Sequence, residues 1–289
     1  QLPVMSLDMW PSYAAQTPLR RFADTGTLQG HLSPVLDVDG AIRRAALLAR
    51  LDGPKGLLPS MSLQTAAVAL GATIEPVNGL GILTSIRLVR EGAPTVEVPV
   101  QSIDGLTMIN YVGPGTDFAR VSMIDVIDGT VDRAKLEGKA VLVGVTLTGS
   151  AGDQRVTPFR ELEPGIYTHA SMLSNLLDGK FLRRSDWLTF VEVLAMLLSS
   201  ALLAVLVPRL KSFGLKLVVM LGLTVTWLLV DQTVFAQGIE LATVMPLANI
   251  LLTSFGLIFL GYLSVDREKL QMRSTFSKYL GEEVMEEAI

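Results

Sequence analysis

Three long hydrophobic runs occupy the C-terminal part of the chain, at residues 187–207, 215–235 and 241–263. The first contains one charged residue, Glu192, the second carries Lys216 and Asp231 near its ends, and the third has none. A membrane core of about 30 Å requires about 20 helical residues, and each run meets that length. The alternative is a buried helical hairpin, but the short polar links leave too little sequence to cover three such runs. The pattern therefore predicts an all-α bundle of three transmembrane helices.

The charges beside these runs indicate an orientation. The first link, at residues 208–216, carries Arg209, Lys211 and Lys216 and no acidic residue, whereas the second link carries two acids and no base. The tail after residue 263 is again rich in Lys and Arg. Because basic links stay in the cytoplasm, we expect residues 1–186 outside a plasma (inner) membrane and the C-terminus inside. Arg183 and Arg184 argue the other way, but long basic side chains can reach the headgroups.

The first 186 residues alternate between short strand patterns and helix patterns. Ser60 is a suitable N-cap and Gly71 a suitable stop for a helix between them. Residues 81–90 and 96–100 predict a hairpin, and residues 107–111 another strand. Ser122 matches the capping-box pattern at the start of a helix. The apolar run 139–146 is typical of a buried strand, and residues 168–177 predict a helix that ends at Gly179.

This alternation predicts an α/β domain in which helices cover a mixed sheet. The chain has no Cys and two His, which excludes a disulfide scaffold, a thiol nucleophile and a cysteine-ligated metal, and disfavours a His-rich metal centre. A net charge of -4 provides no basic surface for nucleic acid. We expect no metal site and no nucleic-acid partner in this chain.

Two acidic and two basic side chains lie close together around a glycine. Asp37 and Asp39 precede Gly40, and Arg43 and Arg44 follow. The DxDG pattern is compatible with calcium, but a calcium loop requires further oxygen ligands at set spacings, which the sequence lacks. The alternative is a turn whose carboxylates hold backbone amides or the two arginines.

The loop of residues 147–158, which follows the run 139–146, is the candidate sensory pocket. Ligands of open α/β sheets bind outside the carboxyl ends of the strands, and this loop contains Asp153 and Arg155. An ordinary surface loop is the alternative. His169 lies at a predicted helix start, where a hydrogen-bonded packing role competes with ligand binding. The candidate ligand-binding residues are Asp37, Asp39, Arg43, Arg44, Asp153, Arg155, Thr157 and His169, and no catalytic residue is predicted.

The segments Gly30-His31 and 34–44 (PVLDVDGAIRR) resemble the "GH…PDxDGxxRR" pattern of an exported sensor domain. That domain is the second type of cyclase/histidine-kinase-associated sensory extracellular domain, or CHASE type two. Later segments agree in order, among them 109–111 (INY), 136–144 (LEGKAVLVG), 157–159 (TPF), 164–166 (PGI), 175–177 (NLL) and 181–184 (FLRR). The family places three transmembrane helices after this domain. Its members usually begin with a membrane span and a strand-rich segment, so the resemblance implies that the N-terminal part of the domain lies before Gln1.

Residues 276–287 (FSKYLGEEVMEE) resemble the segment immediately before the catalytic domain of class III nucleotide cyclases. The alternative is a simple amphipathic helix with an acidic face. The resemblance implies that residues 264–289 link the membrane to a dimeric cyclase domain, which would use ATP and two Mg or Mn ions. We therefore expect a homodimeric adenylate cyclase receptor that senses an unidentified external ligand or protein. A histidine or Ser/Thr kinase receptor and a non-enzymatic membrane anchor are the alternatives.

Overall fold

The computed structural model describes the backbone of residues 11–12, 24, 28–51, 56–79, 82–101, 104–146, 153–185 and 187–276. The chain divides into two compact units, Gln1–Arg183 and Arg184–Ile289, called here the N-terminal unit and the membrane unit. The first part of the predicted sensory loop, residues 147–152, and most of the cyclase-like tail lie outside the described residues.

Short strands form four small sheets among the described residues of the N-terminal unit. The strands are β1 Pro11–Ser12, β2 Arg44–Ala45, β3 Leu48–Leu51, β4 Leu57–Pro59, β5 Thr73–Gly79, β6 Ile82–Val89, β7 Val96–Pro99, β8 Thr107–Met108, β9 Gln154–Arg155 and β10 Glu163–Pro164. β1 pairs in parallel with β3, β3 pairs with β4, β2 with β8, β9 with β10, and β6 lies between β5 and β7. Together with the helices they confirm the predicted α/β class.

The first helix, α1 (Met61–Leu70), has the predicted ends. Ser60 Oγ accepts a hydrogen bond from the Leu63 N–H at 3.2 Å, which satisfies one of the free amides of the first turn. Gly71 ends the helix in the left-handed conformation (φ 60°), where a side chain would be strained. The predicted hairpin is also confirmed, since β6 and β7 pair in antiparallel fashion.

The second long helix of this unit, α3 (Ile166–Asp178), completes the core and ends at Gly179 as predicted. A shorter helix, α2 (Met123–Ile127), precedes it in the chain. Leu63 and Ala66 of α1 pack with Met172 and Leu176 of α3, and Ile86 of β6 joins the same buried cluster. The core therefore joins the two helices to the largest sheet.

The predicted buried strand at residues 139–146 is wrong. These residues form no strand, and Val141, Val143 and Val145 are 53%, 73% and 54% exposed. An extended segment becomes a strand only when a neighbour satisfies its backbone groups, and the described residues provide no such neighbour here. A short helix begins directly after Ser122, at Met123, as predicted, but the capping box does not form, because the Ser122 side chain makes no capping hydrogen bond. The strand predicted at residues 107–111 is only Thr107–Met108.

Three long helices make up the described part of the membrane unit: α4 (Trp187–Leu206), α5 (Phe213–Phe235) and α6 (Val244–Phe276). A short 3₁₀ turn extends α4, and all three helices are long and apolar enough to cross a membrane, at Trp187–Arg209, Phe213–Phe235 and Val244–Ser264. The prediction of three membrane-length helices is confirmed. α6 continues beyond its apolar part to Phe276 without a break.

Polar side chains connect the first and last of these helices. Asn249 of α6 donates to Ser200 Oγ at 3.0 Å and to the Met196 carbonyl of α4 at 3.1 Å. Ser200 in turn donates to Asn249 Oδ1 at 3.2 Å. Small residues of α4, Ser199 and Ser200, thus allow α4 and α6 to approach closely around an amide.

A buried ion pair lies at the start of α4. Arg184 contacts both carboxylate oxygens of Glu192, at 3.2 and 3.0 Å, and the Glu192 side chain is only 5% exposed. Glu192 also accepts a hydrogen bond from the Ala242 N–H at 2.6 Å. The carboxylate therefore ties the start of α4 to the segment before α6.

A candidate ligand-binding cavity

A cavity of about 310 Å³ opens in the N-terminal unit beside the amino ends of α1 and α3. Residues 31–35, residues 42 and 44–46, and residues 143–144 form further parts of its wall. Part of the lining is apolar, including Val35, Ile42 and Met172. Its polar lining consists of His31, Ser33, Arg44, Ser60, Ser62, Asp153, Arg155, Thr168 and His169.

The backbone around Gly30 brings His31 to this cavity. The His31 N–H donates to the Pro59 carbonyl at 3.0 Å, and the Met61 N–H donates to the His31 carbonyl at 3.0 Å. A Cβ on Gly30 would lie 2.6 Å from the backbone of Met61, so no residue with a side chain fits without displacement. The glycine of the GH pair thus allows the chain to lie against the start of α1.

The two histidines of the chain both line the cavity, and both are neutral at neutral pH. Burial, together with the nearby His169, lowers the pKa of His31 to about 4. Burial also lowers the pKa of His169, with Arg155 acting in the same direction and Asp153 opposing it. His169 is held by Ser62, whose hydroxyl donates to the His169 carbonyl at 3.1 Å.

One nitrogen of His31 lacks a hydrogen-bond partner. Its Nδ1 accepts a long hydrogen bond from the Ser33 N–H at 3.4 Å, which favours the neutral tautomer that carries its proton on Nε2. Nε2 is buried, and no described residue lies within hydrogen-bond distance of it. An N–H donor without a partner is therefore part of the cavity wall.

The strand β9 brings Asp153 and Arg155 to the amino end of α3. The Gly165 N–H donates to the Asp153 carbonyl at 2.8 Å, and a Cβ on Gly165 would lie 2.5 Å from Asp153 Oδ1. Arg155 Nη2 lies 3.7 Å from Asp153 Oδ1, which is an ion pair but not a close hydrogen bond. The Arg155 side chain is 32% exposed and the Asp153 side chain is 52% exposed. Both charges thus remain partly open to solvent.

Four of the eight predicted ligand-binding residues line this cavity. They are Arg44, Asp153, Arg155 and His169. Arg44 contributes little free charge, because it forms ion pairs with Asp37 at 2.7 Å and with Asp104. Asp37, Asp39, Arg43 and Thr157 are not among the residues that line it.

Asp37, Asp39 and Arg43 form the turn that was the alternative to a calcium loop. Arg43 pairs with Asp37 at 3.0 Å and with Asp39 at 2.7 Å, and the Ala41 N–H donates to Asp39 at 3.1 Å. The hydrogen bond from Arg43 lowers the pKa of Asp39 to about 2. Burial alone would raise the pKa of Asp37, but the hydrogen bonds from Arg44 and Arg43 lower it overall. Within the described residues no group of three His, Cys, Asp or Glu side chains is arranged to hold a metal ion.

Thr157 has a structural partner that the sequence did not indicate. Its hydroxyl donates to Glu163 Oε2 at 2.8 Å, and the other carboxylate oxygen of Glu163 accepts the Gly115 N–H. Glu163 is only 2% exposed. The carboxylate thus joins two loops of the N-terminal unit.

His31 and Thr168 also line the cavity, although neither is among the predicted ligand-binding residues. The sequence does contain a signal for His31, which is half of the GH pair and one of only two histidines. Thr168 carried no comparable signal, since its contribution depends on the position of α3.

Residues 11–207 match the family model of the CHASE2 domain. The matched region contains the cavity and extends through α4. No curated protein and no solved structure matches the chain.

Proposed function

Because the chain belongs to the CHASE2 domain family, we propose that it is the sensor and membrane anchor of a receptor nucleotide cyclase. In this proposal the N-terminal unit senses an extracytoplasmic signal and the three helices pass it to a dimeric class III catalytic domain located after residue 289. That catalytic domain would bind ATP with two Mg or Mn ions and produce cyclic AMP. A sensor domain followed by three membrane-length helices is a membrane sensor region, and the cyclase output is the part we propose.

The observation that carries the proposal is the continuity of α6. This helix runs for 33 residues, from Val244 to Phe276, whereas its candidate span ends at Ser264. Its last residue is the first of the segment 276–287 that resembles the region before class III catalytic domains. A single helix therefore leads from the membrane to the cyclase-like segment, and a rotation or displacement of the span can reach an output pair directly.

The ion pair of Arg184 supports the orientation that places the N-terminal unit outside. Arg183 and Arg184 were the charges that opposed this orientation, and Arg184 is paired with Glu192. Its charge is therefore compensated within the membrane unit. The basic residues of the α4–α5 link, Arg209 and Lys211, then favour a cytoplasmic link.

Proteolysis of intact spheroplasts tests this orientation. An added protease is expected to remove the N-terminal unit and to leave the link between α4 and α5 uncut. A protease accessible from the cytoplasmic side, in inverted vesicles, should show the opposite pattern. Protection of the N-terminal unit in spheroplasts contradicts the proposed topology.

The cyclase output is tested by joining residues 1–289 to the catalytic domain of a soluble class III cyclase. We expect membranes containing this fusion to produce cyclic AMP and the protein to crosslink as a dimer, since the active site of this class requires two subunits. Inserting two residues after Arg273 rotates the following helix by about 200° and should change activity or its regulation without affecting membrane insertion. A four-residue insertion, which restores the phase to within about 40°, is the matched control. Equal activity and regulation in all three proteins, or a monomer in membranes, contradicts the proposal.

A further inference from the structure

We propose that the cavity of the N-terminal unit binds a small organic carboxylate, held by the His31 Nε2–H, the Arg155 guanidinium and the amino end of α3. This inference rests on the proposed sensory function and names the chemical class of its ligand. It depends on polar side chains that line one cavity and that have few hydrogen-bond or ion-pair partners within the chain.

His31 provides a neutral donor that no described residue uses. Its Nδ1 is occupied by the Ser33 N–H, and its buried Nε2 has no partner within hydrogen-bond distance. A buried donor without a partner is destabilising, so such a group in a cavity indicates an acceptor that binds there. Carboxylate oxygens only accept hydrogen bonds, which matches this donor.

Arg155 provides a positive charge for a bound carboxylate. Comparison with Arg44 shows why Arg155, rather than Arg44, is the arginine that can pair with it. Both arginines line the cavity. Arg44 is engaged by two carboxylates, Asp37 and Asp104, and holds the turn at β2. Among the described residues, Arg155 has one ion-pair contact, to Asp153 at 3.7 Å, and a long hydrogen bond of 3.4 Å to the Gln154 carbonyl. Its planar fork of donors can therefore accept a carboxylate with little loss of existing contacts.

The amino end of α3 adds donors of the same kind. This helix has 13 residues, and its N-cap, Gly165, provides no capping side chain. Gly165 and Ile166 line the cavity beside Thr168, whose buried Oγ1 forms no well-aligned hydrogen bond among the described residues, although it lies near the Tyr111 hydroxyl, whose pKa is raised by burial and lowered in part by Thr168. Thr168 is only 8% exposed. The start of a helix favours an anion through the helix dipole, and the Thr168 hydroxyl can turn to a polar group of a ligand bound there.

The remainder of the wall indicates an organic ligand rather than a bare inorganic anion. The side chains of Val35, Ile42 and Met172, which are uncharged and apolar, form part of the cavity wall. A volume of about 310 Å³ lies at the lower end of the range for small-molecule sites. A short carbon chain covers these apolar side chains while its carboxylate meets the donors, whereas an inorganic ion leaves them in contact with water.

Asp153 allows the sign of the ligand charge to be tested. Its carboxylate lies near Arg155 and the start of α3, where it repels an anion and attracts a cation. Substitutions at these two positions therefore have opposite effects for an anionic ligand. Asp153→Asn should tighten binding, and Arg155→Gln should weaken it. A cationic ligand gives the reverse pattern.

The experiment uses the full chain in lipid nanodiscs and measures binding by isothermal titration calorimetry. The probes are straight-chain mono- and dicarboxylates of two to six carbons, their uncharged amides, and inorganic phosphate. At least one carboxylate should bind at least about tenfold more tightly than its amide, because hydrogen bonds to a charged group are the stronger ones. The inference is overturned if no carboxylate binds more tightly than its amide, or if phosphate binds as tightly as the best carboxylate.

Substitutions of the lining residues then test whether the carboxylate binds in this cavity. Arg155→Gln should weaken the best carboxylate by at least about tenfold, and Asp153→Asn should tighten it by about threefold to tenfold through loss of repulsion. The matched control is Arg133→Gln, since Arg133 is 86% exposed and does not line the cavity. Equal effects of Arg155→Gln and Arg133→Gln, or weaker binding in Asp153→Asn, contradict the inference.

His31→Leu should abolish the same binding, and His31→Gln, which keeps an N–H donor at a similar reach, should retain part of it. Because His31→Leu affects a buried position, circular dichroism must show that the variant is folded. If it is not folded, the donor role is judged by carboxylate affinity in the other two variants, and His31→Gln should bind more tightly than Arg155→Gln. Equal loss of binding in a folded His31→Leu and in His31→Gln contradicts the donor role. These measurements do not involve an output domain, so the cyclase proposal can fail while the carboxylate site stands, and the reverse also holds.

Discussion

The two units of this protein differ in whether their buried polar side chains have hydrogen-bond partners. In the membrane unit, Glu192 is paired with Arg184 and the Ala242 amide, and Asn249 of α6 bonds to Ser200 of α4. In the N-terminal unit, His31 Nε2 and Thr168 Oγ1 lie on a cavity wall with no partner among the described residues. The Ser254 hydroxyl and the Trp227 indole are unpartnered in the membrane unit as well, so the contrast concerns its charged groups and its amide side chain rather than every polar group.

The difference follows from the surroundings of each group. In a lipid environment no water is available to a charge or an amide, so these groups are retained where another segment of the chain satisfies them. A cavity in a water-exposed domain can leave donors open, since water or a ligand occupies the space. The partnered groups are therefore structural, and the open ones on the cavity wall are available for binding.

The largest expected effect is in the membrane unit. Arg184→Leu leaves the Glu192 carboxylate, 5% exposed, without its charge partner. Loss of one partner of a buried pair costs about 3–5 kcal/mol. We expect the free energy of unfolding of the full chain, measured in bicelles by steric trapping, to fall by that amount.

Two further variants are controls for this prediction. Arg183→Leu changes the adjacent, exposed arginine and should have little effect. The double variant Arg184→Leu with Glu192→Leu should recover most of the loss, because it removes both charges. Similar losses in the two single arginine variants would show that the ion pair does not stabilise this unit.

The second prediction concerns the N-terminal unit and pH. The pKa of His31 is about 4 in the folded chain against 6.5 for an unperturbed histidine, so the unfolded state binds more protons between these values. Stability is therefore full above about pH 6.5 and falls by up to about 3 kcal/mol as the pH decreases to about 4. The charged and titratable groups that share the cavity are His169, Arg44, Asp153 and Arg155, and His169 acts in the same direction.

Amide exchange in α1 and α3, corrected for its intrinsic pH dependence, measures this change in the full chain. His31→Gln should reduce the slope between pH 6.5 and 4. The lowered pKa values of Asp37 and Asp39 cause a separate loss that begins only below about pH 4. An unchanged slope in His31→Gln contradicts the assignment to His31.

The third prediction tests the amide in the membrane. Asn249→Leu removes the hydrogen bonds to Ser200 and Met196 and should lower the stability of the full chain by about 1 kcal/mol, the usual scale for such bonds between membrane helices. Thr226→Val is the control, since the Thr226 hydroxyl is exposed and bonds only within α5, to the Gly222 carbonyl at 2.7 Å. Equal effects of the two variants would contradict a role for Asn249 in joining α4 to α6.

The sequence predicted the membrane unit more fully than the N-terminal unit, for a physical reason. A membrane-spanning helix satisfies its own backbone, so length and hydropathy are sufficient to recognise it. A strand depends on a neighbour that hydropathy does not identify, which is why the apolar residues 139–146 were predicted as a buried strand. Local signals succeeded where the structure is local, as with the Ser60 cap and the hairpin of β6 and β7.

The candidate site shows the same limit. Arg44, Asp153, Arg155 and His169 were selected from loops and ends of elements, where binding residues are common. Their convergence depends on the packing of α3 beside residues 30–35, which no pattern in the sequence specifies. Asp37 and Asp39 were candidates for the same reason, and their carboxylates hold Arg43 and Arg44.

The smallest expected effect is also the most direct test of the comparison, and it concerns Thr168. Thr168→Val preserves the shape of the side chain and removes a buried hydroxyl that has no partner among the described residues. Replacing such a group by an apolar one is nearly neutral or slightly stabilising, within about 0.5 kcal/mol.

The matched variant in the same unit is Thr107→Val. Thr107 is fully buried, and its hydroxyl donates to the Pro99 carbonyl at 3.0 Å. Its loss leaves an acceptor unsatisfied and should cost about 1–3 kcal/mol. Chemical denaturation of the full chain, followed by exchange of the α3 amides, compares the two. A cost for Thr168→Val as large as that for Thr107→Val would show that the Thr168 hydroxyl already has a partner in the ligand-free protein, and that this end of the cavity is not open for a ligand.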